Sequence, residues 1–154
     1  RGDLKGYNTV VVGFENSITP FLKKHHKRAL ILGTGGASKA VAYALKNNDI
    51  KVKFVSRKPY KENMISYKDL TQEILKKYNV IVNCTPLGTF PEIEKCPDIP
   101  YQFITKKHLL YDLIYNPEAT TFLKKGQQNG ATIKNGYEML QLQAEESWRI
   151  WNED

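Results

Sequence analysis

Short apolar runs alternate with longer segments of helical periodicity along most of the chain. The runs are rich in Val, Ile and Leu and too short for helices, which is typical of buried strands in a parallel sheet. They predict strands at residues 28–32, 51–55, 80–82, 109–114 and 131–133. The intervening segments predict helices at residues 37–47, 66–78, 119–129 and 137–151. This alternation predicts an α/β fold, with a Rossmann-like, doubly wound parallel sheet in three αβα layers.

Two segments lie outside this alternation. The N-terminal segment predicts an extended piece at Gly6–Thr9 and then a helix at Gly13–Lys24, interrupted or restarted near Pro20. The segment Asn83–Pro100 contains four prolines and has little periodicity, which indicates a loop. Loops of this length inside a compact domain are often functional.

The composition fits one folded domain and excludes several classes of protein. The chain has 154 residues, of which 41% are hydrophobic, enough to bury a core without a disulfide or a metal. No apolar run approaches the roughly 18 residues of a membrane span, and no signal peptide is recognisable. We therefore expect a soluble, cytoplasmic protein with no membrane partner. Cys84 and Cys96 are too few and too widely spaced for a zinc site, so we expect free thiols and no bound metal.

The chain is basic, with 23 Lys and Arg against 16 Asp and Glu. Its densest basic run is Lys23–Arg28, which we interpret as a solvated helix end. His25 and His26 are adjacent and would not share a helix face, which argues against a metal site there. Nucleic-acid binding is the lowest-ranked interpretation, because the basic residues are not interleaved with aromatic ones, although Tyr60 and Tyr67 are nearby. We expect no nucleic-acid partner.

A glycine-rich turn lies between the first core strand and the helix that follows it. The residues Gly33–Ser38 read GTGGAS. Gly33 permits a tight turn, Gly35 lets the backbone approach a pyrophosphate, and the start of the helix attracts that anion. Ser38 replaces the third glycine of the usual fingerprint and is still small enough for close packing. The alternative is a plain strand-to-helix turn that needs glycine only for its geometry.

The segment after the second strand is basic. Dinucleotide-binding domains selective for NAD usually carry an acid here, which holds the ribose 2′-hydroxyl. This chain has Ser56–Lys61, SRKPYK, in which Arg57, Lys58 and Lys61 could surround a 2′-phosphate. We therefore predict a preference for NADP over NAD. A solvated basic loop is the alternative.

Six segments, in the same order along the chain, resemble motifs of the shikimate dehydrogenases, and in particular of their C-terminal NADP-binding domain. They are GYNT with GF at 6–14, GTGGAS at 33–38, SRKPYK at 56–61, NCTPLG at 83–88, YDLIYNP at 111–117, and GYEML with QA at 136–144. They resemble GxNTDxxGF, GAGGAS, NRTxxR, NATPLG, YDxxYxP and GxxMLxxQA, respectively. The resemblance implies a two-domain enzyme, in which residues 1–24 are an inter-domain connecting segment and helix and residues 25–154 are the Rossmann core.

The resemblance also implies a reaction and a set of site residues. The reaction is the reversible, NADP-linked reduction of 3-dehydroshikimate to shikimate in aromatic amino-acid (chorismate) biosynthesis. Tyr115 and Gln143 are implied as substrate contacts, with Leu113 and Gly136 beside the nicotinamide. The implied cofactor-binding residues are Gly33, Thr34, Gly35, Gly36, Ala37, Ser56, Arg57, Lys58, Lys61, Thr85, Leu113, Gly136 and Met139. The family resemblance further implies a parent enzyme that is a monomer or a homodimer.

One position departs from the family pattern. The residue after GYNT is Val10, where the family has an Asp that pairs with a Lys of the substrate domain. Valine cannot exchange a proton, and the chain begins just before this motif, so we expect no intact catalytic residue. The predicted behaviour is NADP binding without shikimate oxidation. The alternatives are a non-catalytic NADP-binding module of the same family, or a quinate/shikimate dehydrogenase, against whose NAD-preferring members the basic segment argues.

Overall fold

The core of the molecule is a parallel β-sheet covered by helices. The computed structural model describes the backbone of residues 2–152 and the side chains of residues 6–146. Within these residues the strands are β1 Arg28–Leu32, β2 Lys51–Val55, β3 Met64–Ile65, β4 Val80–Asn83, β5 Leu109–Asp112 and β6 Thr132–Asn135. The helices are α1 Gly2–Ile18, α2 Gly36–Asn47, α3 Gln72–Lys77, α4 Thr121–Gln128 and α5 Tyr137–Asn152. Arg1, Glu153 and Asp154 lie outside the described residues.

The sheet is doubly wound, as the sequence predicts. All neighbouring strands are parallel, in the order β3-β2-β1-β4-β5-β6. Alternate residues of β1 enter the two sides of the core: Ala29 and Ile31 pack with α1 and α2, and Leu30 and Leu32 pack with α3 and α4. The strand order reverses between β1 and β4, which is where ligands bind in sheets of this kind.

The N-terminal segment is a helix where the sequence predicted an extended piece at Gly6–Thr9. That prediction is wrong, because α1 runs from Gly2 to Ile18 and buries Val11, Phe14 and Ile18 on one face against the core. Gly13 allows this helix to approach α5 closely, since a Cβ there would lie 2.8 Å from the carbonyl oxygen of Met139. The predicted interruption near Pro20 is present as a single 3₁₀ turn, Thr19–Phe21, and the helix does not continue to Lys24.

The predicted helix at 66–78 is also wrong in its extent. The segment begins after the edge strand β3, which the sequence analysis missed, and contains a 3₁₀ turn before α3. Ser66 donates both its backbone N–H and its hydroxyl to Asp69 Oδ2, which closes the 3₁₀ turn locally. Thr71 then caps a separate helix by accepting from the Ile74 amide. Leu70 and Leu75 nevertheless face the core, and Ile74 is half-buried against it.

The remaining strand and helix predictions hold, with shifts of no more than two residues at the element ends. Residues 84–100 form neither helix nor strand, which confirms the predicted loop. The helix α1 packs on α2 and α5 and shares their core, and the division of the chain at residue 24 stays a prediction. None of the helices within residues 2–152 is long and apolar enough to cross a membrane.

Candidate functional site

A cavity of about 940 Å³ opens at the carboxyl ends of β1, β2 and β4. It lies beside the point at which the strand order reverses. One wall is the glycine turn after β1, and a second is the basic segment after β2. The opposite wall comes from the loop after β4. The lining residues are Gly33, Thr34, Gly35, Val55, Ser56, Arg57, Lys58, Tyr67, Cys84, Thr85, Pro86, Leu87, Cys96 and Asp98.

The glycine turn has the backbone geometry of an anion-binding strand-to-helix turn. Gly33 has a φ of +109°, which favours glycine, and its N–H donates to the Val55 carbonyl at 3.0 Å. Gly35 is the N-cap of α2 and has no atom within 4 Å of the position a Cβ would take. A ligand can therefore approach this backbone closely. Ser38 is buried and donates its hydroxyl to the Gly35 carbonyl, which closes the first helical turn.

The basic wall is positioned by the end of β2. Ser56 donates its N–H to Ile65 of β3 at 2.9 Å, and its hydroxyl accepts from the Lys58 N–H at 3.1 Å. Arg57 and Lys58 are exposed along the cavity, and neither forms a salt bridge with a carboxylate of the described residues. Their charge is thus available to a ligand anion.

Lys61 lies apart from the other two basic residues. It lines a separate cavity of about 210 Å³ together with Thr34, Lys39 and Tyr60. Its ammonium group lies 5.7 Å from the centre of the Tyr60 ring. The structure therefore does not bring Arg57, Lys58 and Lys61 together in one cavity, and Pro59 and Tyr60 separate Lys61 from the pair along the chain.

A buried polar network supports the loop wall of the cavity. Asp112, at the end of β5, is fully buried and accepts from Asn83 Nδ2 at 3.1 Å, from the Ile114 N–H at 3.1 Å and from Thr120 Oγ1 at 2.7 Å. Burial raises the pKa of the Asp112 carboxyl to about 6, although these three donors act in the opposite direction. Asn83 Oδ1 in turn accepts from the Thr85 N–H and hydroxyl at 3.0 and 2.6 Å.

A second group of sequence-predicted residues lies at the carboxyl ends of β5 and β6, outside the cavity lining. Leu113 and Gly136 are in close contact, since a Cβ on Gly136 would collide with the Leu113 carbonyl oxygen. Met139 is buried one turn further along α5. Tyr115 is 45% exposed, and the centres of its ring and that of Tyr137 are 6.3 Å apart. Gln143 is half-buried against Gly13 of α1, so the structure shows no contact that joins it to Tyr115.

Val10 is a core-packing residue in this structure. It lies on α1, half-buried, and packs against the core cluster between the sheet and α1, α2 and α5. Its side chain offers no hydrogen-bonding group to a ligand.

Some cavity residues escaped the sequence analysis. Tyr67 lines the cavity because β3 and a 3₁₀ turn replace the predicted helix. Its pKa is raised by burial and lowered in part by the charge of Arg57, so the two side chains are electrostatic neighbours. Cys84 and Cys96 are free thiols that both line the cavity, and burial raises the pKa of Cys84. The described residues contain no cluster of three or more metal-ligating side chains.

Comparisons with known proteins give one consistent result. The chain is 39% identical to the NADP(+) shikimate dehydrogenase of Caldicellulosiruptor saccharolyticus, over 96% of its own length and 58% of the relative's. It is 37% identical to the enzyme of the same name from Methanococcus maripaludis, over 98% of its length and 59% of the relative's. The chain is related to the shikimate dehydrogenases. It spans less than two thirds of the length of these relatives. No protein-family model matches the chain.

Solved structures of shikimate dehydrogenases have the same fold. A chorismate mutase/shikimate 5-dehydrogenase fusion protein from Clostridium acetobutylicum superposes with a TM-score of 0.82 at 35% identity, over 94% of this chain and 55% of that one. The shikimate 5-dehydrogenase of Thermus thermophilus, solved with NADP(H) and shikimate, superposes with a TM-score of 0.77 at 25% identity, over 95% of this chain and 57% of that one.

Proposed function

We propose that this chain binds NADP(H) in the 940 Å³ cavity and is the cofactor-binding domain of a shikimate dehydrogenase. The observation that carries this proposal is that Gly33–Gly35 of the glycine turn and the basic pair Arg57 and Lys58 line the same cavity. The relatives carry the name NADP(+) shikimate dehydrogenase, which agrees with this ligand.

The chain offers a separate group for each charged part of the dinucleotide. Free N–H groups at the start of α2, and the positive end of its dipole, attract the pyrophosphate. The open space beside Gly35 fits such an approach. Arg57 and Lys58 bind the 2′-phosphate, and the planar Arg57 side chain can also stack on adenine. Lys61 and Thr34 line the neighbouring smaller cavity. At its rim Lys61 contributes positive charge, and Thr34 contributes backbone groups.

The remaining predicted residues are assigned to the reactive end of the cofactor and to the substrate. Leu113, Gly136 and Met139 flank the nicotinamide, while Tyr115 and Gln143 orient the hydroxylated ring of shikimate or 3-dehydroshikimate. NADP(H), when bound, supplies or accepts the hydride of this reaction. The contact of Leu113 with Gly136 supports the assignment, because it brings the ends of β5 and β6 to one place.

Proton exchange with the substrate hydroxyl requires a group that Val10 does not have. General acid–base catalysis commonly contributes about 10²- to 10⁴-fold to a rate. We therefore expect the chain alone to bind the cofactor and to show no shikimate oxidation. Val10 also favours a second candidate, a non-catalytic NADP-binding module of the same family. The parent enzyme would reduce 3-dehydroshikimate reversibly, with the substrate held between this domain and another.

Calorimetric titration with NADP and with NAD tests the binding proposal. A single charge-assisted hydrogen bond contributes about 1.5 to 3 kcal/mol, so NADP should bind at least about tenfold more tightly than NAD. Arg57→Ala should remove most of this preference, because it should weaken NADP binding much more than NAD binding. Lys27→Ala is the matched control, because Lys27 is also exposed and basic but precedes β1 at the opposite end of the sheet. Equal affinities for the two cofactors would contradict the proposal, as would an unchanged preference in Arg57→Ala.

A further inference from the structure

A continuous chain of hydrogen bonds leads from a buried carboxylate to the wall of the cavity. It begins at Asp112, which has no exposed surface. Asp112 Oδ1 accepts from Asn83 Nδ2 and from the Ile114 N–H, each at 3.1 Å, and Oδ2 accepts from Thr120 Oγ1 at 2.7 Å. One carboxylate thus connects the ends of β4 and β5 with the N-cap of α4.

The carboxylate also determines which way the Asn83 amide points. An ionised carboxylate only accepts hydrogen bonds, whereas an amide has one donor side and one acceptor side. Because Asn83 must turn its NH₂ group to Asp112, its oxygen faces Thr85. There it accepts from the Thr85 N–H at 3.0 Å and from the Thr85 hydroxyl at 2.6 Å. The same Thr85 hydroxyl accepts from the Leu87 N–H at 3.3 Å, and Asn83 Nδ2 also lies 3.4 Å from the Leu87 carbonyl oxygen.

We propose that Asp112 is a positioning residue for the cofactor: through Asn83, its carboxylate holds the turn Thr85–Leu87 in place as one wall of the cavity. This inference rests on the proposed function, which makes that cavity the cofactor site. Thr85, Pro86 and Leu87 all line the cavity, and Asp112 does not. Asp112 therefore acts on the ligand only through Asn83.

Hydrogen bonds stabilise the ionised carboxylate of Asp112. The titratable groups that interact with it are the Cys84 thiol, at the end of β4, and the Tyr101 hydroxyl, beside α4. Burial raises the pKa of both, so both are neutral near pH 7. No Lys or Arg side chain within residues 6–146 forms a salt bridge with Asp112. A neutral carboxyl, which can donate a hydrogen bond, would no longer fix the orientation of the Asn83 amide.

Amide hydrogen exchange in the ligand-free chain tests the positioning role directly. Asp112→Asn keeps the shape of the side chain but replaces an acceptor-only group by an amide. We expect the Thr85 and Leu87 amides to exchange at least about fivefold to tenfold faster in this variant, which corresponds to the loss of about one hydrogen bond. Thr120→Val is the matched control, since it removes a hydrogen bond to the other carboxylate oxygen, together with the cap on the Leu123 N–H of α4, and leaves the Asn83 side intact. It should change these two amides by less than about twofold.

Cofactor affinity provides the second readout. Asp112→Asn should raise the Kd for NADP by about fivefold or more near pH 7.5, with Thr120→Val close to wild type. The ratio of the two Kd values, Asp112→Asn over wild type, should fall towards one below about pH 6, because the wild-type carboxyl is then neutral. The 2′-phosphate of NADP, with a pKa near about 6, titrates equally in both proteins and cancels in the ratio.

Several outcomes would overturn the proposal. One is that the Thr85 and Leu87 amides exchange at the wild-type rate in folded Asp112→Asn. Another is that they exchange as fast in Thr120→Val as in Asp112→Asn. Faster exchange with an unchanged NADP Kd is a third. If Asp112→Asn does not fold, the test uses wild type alone. After correction for the intrinsic pH dependence of exchange, the Thr85 and Leu87 amides must be less protected near about pH 5 than near about pH 7.5. If wild type does not bind NADP at all, the proposed function fails, whereas unchanged amide exchange overturns the positioning role by itself.

Discussion

The buried carboxyl of Asp112 should make the folded chain less stable as the pH rises. Its side chain has no exposed surface, and burial raises its pKa from 3.8 to about 6. The folded state therefore holds this proton more tightly than the unfolded state does. The stabilisation from this group is fully present below about pH 4 and is lost as the pH rises through 6. At 1.36 kcal/mol per pH unit, the difference between the two pKa values corresponds to about 3 kcal/mol.

Two histidines have the opposite effect over part of the same range. Burial lowers the pKa of His26 and His108, so the unfolded state binds their protons more tightly. The stabilisation from each histidine is present above about pH 6.5 and is lost as the pH falls towards its folded-state pKa. The pH profile of the wild-type chain alone is therefore a mixture of rising and falling contributions. Comparison with Asp112→Asn isolates the carboxyl, because both proteins contain both histidines.

Urea unfolding of the two proteins, followed by circular dichroism between about pH 4 and about pH 8, measures this contribution. We expect the free energy of unfolding of wild type, minus that of Asp112→Asn, to fall by about 2 to 3 kcal/mol across this range. Differences in hydrogen bonding between Asp and Asn change this difference in unfolding free energy by the same amount at every pH, so they do not alter its slope with pH. A flat difference would refute the reasoning. A difference that rises with pH would mean that the three hydrogen-bond donors outweigh burial at this site.

Three further substitutions test the packing and the cavity. Gly136→Ala places a methyl group against the Leu113 carbonyl and should cost at least about 1 to 3 kcal/mol in urea unfolding, whereas an unchanged midpoint would contradict the contact. The new methyl group of Gly35→Ala meets no atom within 4 Å, and alanine can adopt the backbone conformation of this position. The substitution should therefore leave the thermal midpoint nearly unchanged but raise the NADP Kd. An unaltered Kd would argue against pyrophosphate binding at α2. Thr71→Ala removes the cap on the Ile74 amide and should cost about 1 kcal/mol, with Thr71→Ser as the control that keeps the hydroxyl.

Strands β1, β4 and β5 were predictable because their burial is visible in the sequence, whereas the half-buried edge strand β3 was missed. A strand such as β1 is buried on both faces, so it is an unbroken apolar run whose ends the flanking polar and glycine residues mark. Helix ends were less predictable where local hydrogen bonds compete. In Ser66–Asp69 a capping interaction closes a single turn, and the cap of Thr71 starts a new helix, although the apolar spacing continues through both. Periodicity alone cannot separate two short helical turns that bury the same face.

The site was predictable where it depends on neighbours in the sequence. The glycine turn and the pair Arg57 and Lys58 each follow a strand end directly, and parallel strands bring their carboxyl ends to one edge. The position of Lys61 depends on how the chain leaves that edge, so its separate cavity was not predictable. The role of Asp112 depends on contacts with Asn83 and Thr120, residues that only the folded sheet brings together.

Val10 does not line the cavity that we propose as the cofactor site. The cavity is built from the ends of β1, β2 and β4, and the hydrogen bonds that hold its walls involve no residue of α1. Val10 packs into the core from α1 and contributes no polar contact to those walls. A valine at this position therefore leaves every element of the proposed cofactor site in place. Cofactor affinity is accordingly the property that tests the proposed function of this chain.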